Sequence, residues 1–186
     1  MTGVPLKTRN LTLVPHAPNH LRALIAGPEL YREVSGMPPA EGLRDFIVSD
    51  AVSPEWLAAL ENASDADPWR FGFAVVHRES GLVIGSAGFT GPPDAGGATE
   101  IAYGIVPAYR GRGYATEAAA ALVAWAWLDG RVTSARAHTL PERNASTRVL
   151  EKCGFSFAGP INHETDGLVW RWQKMRDTAE PPATRL

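Results

Sequence analysis

The sequence predicts a mixed α/β domain built in layers, on three observations. Two apolar stretches, Phe71–His77 and Leu82–Thr90, flank the turn Arg78-Glu79-Ser80-Gly81 and read as a strand hairpin. The Ala-rich run Gly113–Asp129 has no Gly or Pro after its first residue and must be helical. A third strand, about Ala98–Val106, ends at Pro107 and passes through a two-glycine loop straight into that helix.

The other elements follow in order. Leu11, Thr12, Leu13 and Val14 form a short first strand, stopped by Pro15. Asn19 is placed to cap a helix carrying Leu21, Leu24 and Ile25, which Gly27-Pro28 ends. A second helical stretch covers Glu29–Val34 and stops at Ser35-Gly36. Met37-Pro38-Pro39 is a breaker, and residues 36–50 are expected to be irregular. Ser53-Pro54-Glu55-Trp56 reads as an N-cap with proline at the first helical position, and that helix runs to about Ala63. Three Gly, two Pro and an Asp make Gly91–Gly97 a loop. Gly130 is expected at the C′ position of the long helix. Beyond it come a strand, Val132–His138, a short helix, Asn144–Cys153, and a strand pair, Phe155–Ile161 and Gly167–Trp172, joined by a hairpin loop. One domain is expected over 1–176, with a disordered tail over 177–186.

Bulk properties exclude several classes. The 186 residues suit one domain of ordinary size, and 45% hydrophobic with 20% charged content is that of a soluble globular protein. A net charge of −2 gives no electrostatic pull toward nucleic acid. Cys153 is the single cysteine, so no internal disulfide forms. No apolar run reaches the ~20 residues of a membrane span, and no signal-peptide core stands at the N-terminus. A cytoplasmic monomer or homodimer is the expectation. The five histidines are scattered without metal-ligand spacing, so no metal is expected.

The segment that carries chemistry is Ile105-Val106-Pro107-Ala108-Tyr109-Arg110-Gly111-Arg112-Gly113-Tyr114-Ala115-Thr116-Glu117. Backbone N–H groups in such a strand–loop–helix turn, with the free N–H groups of the first helical turn, make a concave anion site. The helix adds an effective charge of about +0.5 there. Gly111 and Gly113 remove Cβ atoms that would hold phosphates off the backbone, while Arg110 and Arg112 add positive charge. No Gly-Lys-Ser/Thr follows, so this is not a nucleotide P-loop, and the glycine spacing is not that of a dinucleotide fingerprint. An ordinary loop or an RNA-binding fragment could also carry Arg-Gly-Arg-Gly. The strand before, the helix after and the acidic net charge favour a phosphate-bearing small ligand.

Arg110-x-x-Gly113-x-Ala115 resembles the [Gln/Arg]-x-x-Gly-x-[Gly/Ala] signature of the GNAT acetyltransferase superfamily. Glu100–Ile105, Gly113–Ala118 and Asn144–Phe155 are similar to its Rim-type branch, the ribosomal-protein N-terminal acetyltransferases, as is the opening Leu6–Leu13. The resemblance spans about residues 6–174. It implies a GNAT-like, mostly antiparallel seven-stranded sheet, splayed between its fourth and fifth strands, with helices on both faces. Acetyl-CoA would lie in the splay as co-substrate. Its pyrophosphate would sit on the amides of about Arg112–Thr116, and its pantetheine arm would pair with backbone at Ile105 and Val106.

Acetyl transfer needs a neutral amine, yet a Lys amine has a pKa of ~10.4 and an α-amine ~8, so both are mostly protonated at neutral pH. A carboxylate can take the proton. Glu100 is the candidate base, being on the strand that lines the expected cleft; the other reading is a solvated strand-edge Glu. By resemblance, Ser146 is the candidate acid or hydrogen-bond donor to the CoA sulfur, and Asn144 a CoA contact. A helix N-cap region explains both residue types equally well. Tyr103 and Tyr114 are further hydroxyls near the site. Cys153, with Val149 and Leu150, is expected in the core rather than as a nucleophile. Trp125 and Trp127 cannot share a helix face, so at least one is buried. The acceptor, a protein N-terminus or a small amine, is expected to meet the N-terminal helices and the 36–50 segment, where Glu41, Asp45 and Asp50 could attract a cation. The rival readings are an acyl-CoA-binding module without catalysis and an enzyme for a longer acyl chain.

Overall fold

A computed structural model of the chain describes residues 3–48, 53–163 and 166–177. Asp50, the Glu164-Thr165 part of the hairpin loop and the tail after Asp177 lie outside the described residues.

The strands are β1 (Leu6–Lys7), β2 (Leu11–Pro15), β3 (Phe73–His77), β4 (Val83–Phe89), β5 (Ala98–Ile105), β6 (Ser134–Thr139), β7 (Ser156–His163) and β8 (Gly167–Met175). The helices are α1 (Pro18–Ala26), α2 (Pro28–Ser35), α3 (Leu43–Ile47), α4 (Pro54–Asn62), α5 (Pro68–Phe71), α6 (Tyr114–Ala126) and α7 (Ala145–Lys152). They form the expected mixed α/β fold around one sheet, ordered β1-β2-β3-β4-β5-β6-β8-β7. The sheet has eight strands rather than seven, because Leu6–Lys7 turns back and pairs with β2.

Every neighbouring pair is antiparallel except β5 and β6. That parallel ladder joins only Ala98–Glu100 to Ser134–Arg136. Beyond it β5 runs on to Ile105 and β6 to Thr139 without pairing to one another, so the sheet opens into a V with Glu100 at its vertex. Counted from β2, this is the opening between the fourth and fifth strands.

The core lies between the sheet and α6. Trp125 of α6 is buried and meets Phe73, Phe89 and Trp69 at ring separations of 5.5, 5.3 and 4.8 Å, while Trp127 is half-buried. Phe73 shares a face with Ala87 and Tyr103 through the β3–β4–β5 register. Gly104, one residue on, points to the opposite face, where Phe46 of α3 lies over it. Helices therefore cover both faces.

Some local expectations change. The first helix starts at Pro18 with Ala17 as N-cap and no side-chain cap, so Asn19 sits inside it; proline at the first position needs no N–H partner and fixes the entry. Residues 36–50 contain α3, whose buried Leu43 anchors it, and Pro39 bridges to Val83. Gly130 is not the C′ residue of α6, because the helix ends at Ala126 and turns through Trp127–Asp129. Ser53 does cap its helix, accepting from Trp56 N at 3.1 Å.

Candidate active site

The β5–α6 connection is built by φ-permissive glycines. Pro107–Tyr109 makes one 3-10 turn, and Gly111 and Gly113 then take φ values of 75° and 86°, a region that side chains with a Cβ resist. Tyr109 and Tyr114 clamp the loop from below: Tyr114 Oη lies 2.9 Å from His77 Nε2, and the His77 ring lies 5.6 Å from that of Tyr109. Tyr114 is thus a packing residue of the loop. The first intrahelical bond of α6 is Glu117 N–H to Gly113 O. Among the described residues nothing accepts from the backbone N–H groups of Gly111 to Thr116, in the loop and first turn of α6.

These amides border a cavity of about 570 Å³ in the V of the sheet. Its floor is Tyr103, Gly104 and Ile105 of β5; its walls are the 109–116 loop, Phe46 of α3, and Ala145, Ser146, Arg148, Val149 and Lys152 of α7. Of the residues expected from sequence, Ile105, Arg110, Gly111, Gly113, Tyr114, Ala115, Thr116 and Ser146 line it together. Arg112 is exposed beside it, its guanidinium 5.5 Å from the Tyr109 ring centroid. The lining includes three basic residues, Arg110, Arg148 and Lys152, and no carboxylate.

Val106 is displaced from the expected role. Its N–H donates to Ile84 O and its carbonyl accepts from Tyr109, and the side chain is fully buried. With Glu100 O bonded to Thr90 N as well, even-numbered β5 residues turn their backbone groups toward β4. Tyr103 and Ile105 then turn theirs toward the opening. Arg110 Nε already donates to Ile105 O at 2.8 Å, with its guanidinium 5.9 Å from the Phe46 centroid.

Asn144 is a helix cap: its side chain accepts from Thr147 N at 3.1 Å and Thr147 Oγ1 accepts from Asn144 N at 3.1 Å, a capping box outside the cavity lining. Ser146, in the first turn of α7, is exposed into the cavity, and its carbonyl accepts from Tyr103 Oη at 3.4 Å. Burial pushes the Tyr103 phenol far above its ordinary pKa, so it stays protonated. Cys153 is buried with its thiol pKa raised, Sγ lying 3.5 Å from Thr116 O.

Glu100 is half-buried and lies at the vertex, with Oε1 2.9 Å from His138 Nδ1. It does not border the cavity; its side chain leaves β5 on the face of Gly104 and Phe46. Sequence reasoning missed His138, Phe46, Arg148 and Lys152. The last two had a signal, since 145, 148, 149 and 152 share one face of α7. The pairing of Glu100 with His138 had none, because parallel register is not written locally. Among the described residues no group of three His, Cys, Asp or Glu is placed to hold a metal, and no helix is long and apolar enough to cross a membrane.

The cleft is floored by an open strand edge and closed by bare helix amides, a site that fits an extended ligand carrying anionic groups. A family model for the acetyltransferase (GNAT) domain matches residues 10–156, and the chain belongs to that family. It is an acetyltransferase, and acetyl-CoA is the donor its family binds. The chain is 29% identical over 121 residues to an uncharacterized N-acetyltransferase of Bacillus subtilis, YjdG, covering 65% of this chain and 67% of that one. Two solved structures share its fold. An acetyltransferase from Agrobacterium tumefaciens matches at TM-score 0.62 and 24% identity over 95% of this chain and 96% of that one. The ribosomal-protein-S5-alanine acetyltransferase from Vibrio fischeri matches at TM-score 0.63 and 17% identity, over 96% of this chain and 100% of the other.

Proposed function

We propose that the chain acetylates a primary amine by direct attack on acetyl-CoA, as a Rim-type enzyme acting on a protein N-terminus or a small amine. One observation carries the reading: among the described residues the amides of Gly111 to Thr116 have no acceptor, and they border a cavity rimmed by Arg110, Arg148 and Lys152. A pyrophosphate supplies the missing acceptors and the opposite charge. The backbone of Tyr103 and Ile105 would pair with the pantetheine arm once Arg110 leaves Ile105 O. The branch assignment rests on the Leu6–Leu13 opening and the Asn144–Phe155 segment of the sequence.

In the chemical step the amine nitrogen bonds to the thioester carbon and the carbon–sulfur bond breaks. Glu100 takes the amine proton, and the Ser146 hydroxyl donates to the departing sulfur. One domain over 1–176 in the cytoplasm, as monomer or homodimer, is part of the same proposal. The test is thiol release from acetyl-CoA with a panel of amines and N-terminal peptides. Turnover with one of them supports the reading, and Glu100→Gln then makes the rate climb with pH toward the pKa of the free amine. Tight CoA binding with no turnover on any amine overturns it.

A further inference from the structure

Three strands of the second half of the sheet put a guanidinium, an imidazole and a carboxylate in one hydrogen-bonded row. Arg171 on β8 stands directly opposite His138 on β6 in the antiparallel register. Its Nε lies 3.4 Å from His138 Nε2, and His138 Nδ1 lies 2.9 Å from Glu100 Oε1 across the vertex of the V. A guanidinium only donates, so Nε2 of His138 is the acceptor and Nδ1 carries the proton given to Glu100. The direction of the row is therefore fixed: Arg171 to His138 to Glu100. The imidazole side chain is 11% exposed and the carboxylate 27%, so the row is sheltered while its far end stays open.

Other charged and titratable groups stand around the imidazole. The His163 ring of β7 lies 5.3 Å from it and is itself 3.3 Å from Asp166. Arg136, two residues earlier on β6, is held by Asp94 at 3.2 Å. Among the described residues Glu100 is the carboxylate that reaches His138.

We propose that His138, oriented by Arg171, is a positioning residue for Glu100. Its Nδ1–H binds one carboxylate oxygen and leaves Oε2 as the oxygen that meets the amine. The Arg171 donor at Nε2 keeps the ring in the orientation that presents Nδ1–H to Glu100, the carboxylate that takes the amine proton. This rests on Glu100 being the base.

The experiment is a double-mutant cycle with a conservative rescue. His138→Ala lowers kcat by roughly tenfold or more while KM for acetyl-CoA holds, and His138→Asn, whose amide N–H sits near the position of Nδ1, returns kcat to within about threefold of wild type. Combining His138→Ala with Glu100→Gln costs no more than Glu100→Gln alone. Melting curves of all variants separate a folding defect from a kinetic one. Equal losses in His138→Ala and His138→Asn, or multiplicative losses in the double variant, overturn the positioning role. A Glu100→Gln enzyme with wild-type kcat and pH profile overturns instead the assignment of the base.

Discussion

Gly104 is a point in the cavity lining with no room for a side chain, and Gly104→Ala tests it. A Cβ built there falls on the Phe46 ring, against Cζ and only 2.7 Å from Cε1 and 3.3 Å from Cε2. Carbon contacts settle at about 3.5–4.0 Å, so the ring must retreat by roughly 1.5 Å. Overpacking of this kind costs about 1–3 kcal/mol, a fall in Tm of roughly 2–12 °C for a chain of this length. Phe46→Ala removes the obstacle. The double variant Gly104→Ala/Phe46→Ala should then melt no lower than Phe46→Ala alone, a coupling of about 1–3 kcal/mol. Thermal melts of the four proteins, with KM for acetyl-CoA, give the answer. Strictly additive losses would refute the contact, as would a Gly104→Ala protein that melts with wild type.

Other outcomes follow from the same coordinates. Gly113→Glu forces a side chain into φ 86° and places a negative charge at the cavity wall; CoA binding should be lost while far-UV circular dichroism keeps the fold, and wild-type affinity by calorimetry would remove the loop from the binding site. Lys152→Ala should raise KM for acetyl-CoA and weaken its salt dependence, with kcat at saturation unchanged, since the proposed reading gives the cavity-lining ammonium no part beyond attracting the phosphates. His16 is buried, its pKa lowered to about 3 by desolvation and then by His20, and among the described residues its Nδ1 has no partner. The unfolded chain therefore binds a proton that the folded chain refuses between about pH 6.5 and 3, and stability falls as pH drops through that window. From pH 7 to 5 the loss is about 2 kcal/mol by urea titration, and His16→Leu should flatten the slope; an unchanged slope would place the acid sensitivity elsewhere.

The legibility of this chain divides by range. The two-glycine loop could be read because its chemistry is local: the same ten residues end a strand, free the amides and start the helix. The caps Ser53 and Asn144 were readable for the same reason, as each bonds a group three residues on. Gly130 and Asn19 misled because a glycine or an asparagine near a helix end is only permissive, and packing chose Ala126 and Pro18 instead. The 36–50 segment looked irregular from its prolines, yet burial of Leu43 holds one helical turn that delivers Phe46 to the cleft.

Sequence by itself therefore determined the strand–loop–helix with its two glycines and two arginines, the Glu on the strand before it and the Ser on the distant helix. Only the tertiary structure decided which of them share a cavity. Whether Val106 or Ile105 faces the opening depends on which β5 groups β4 has already taken. Whether Glu100 stands alone depends on the parallel register that carries β6 past it and on β8 setting Arg171 against His138. Local conformation is set by neighbours along the chain, whereas pairing across strands is set by what the whole sheet can bury, and that sum is written in no single segment.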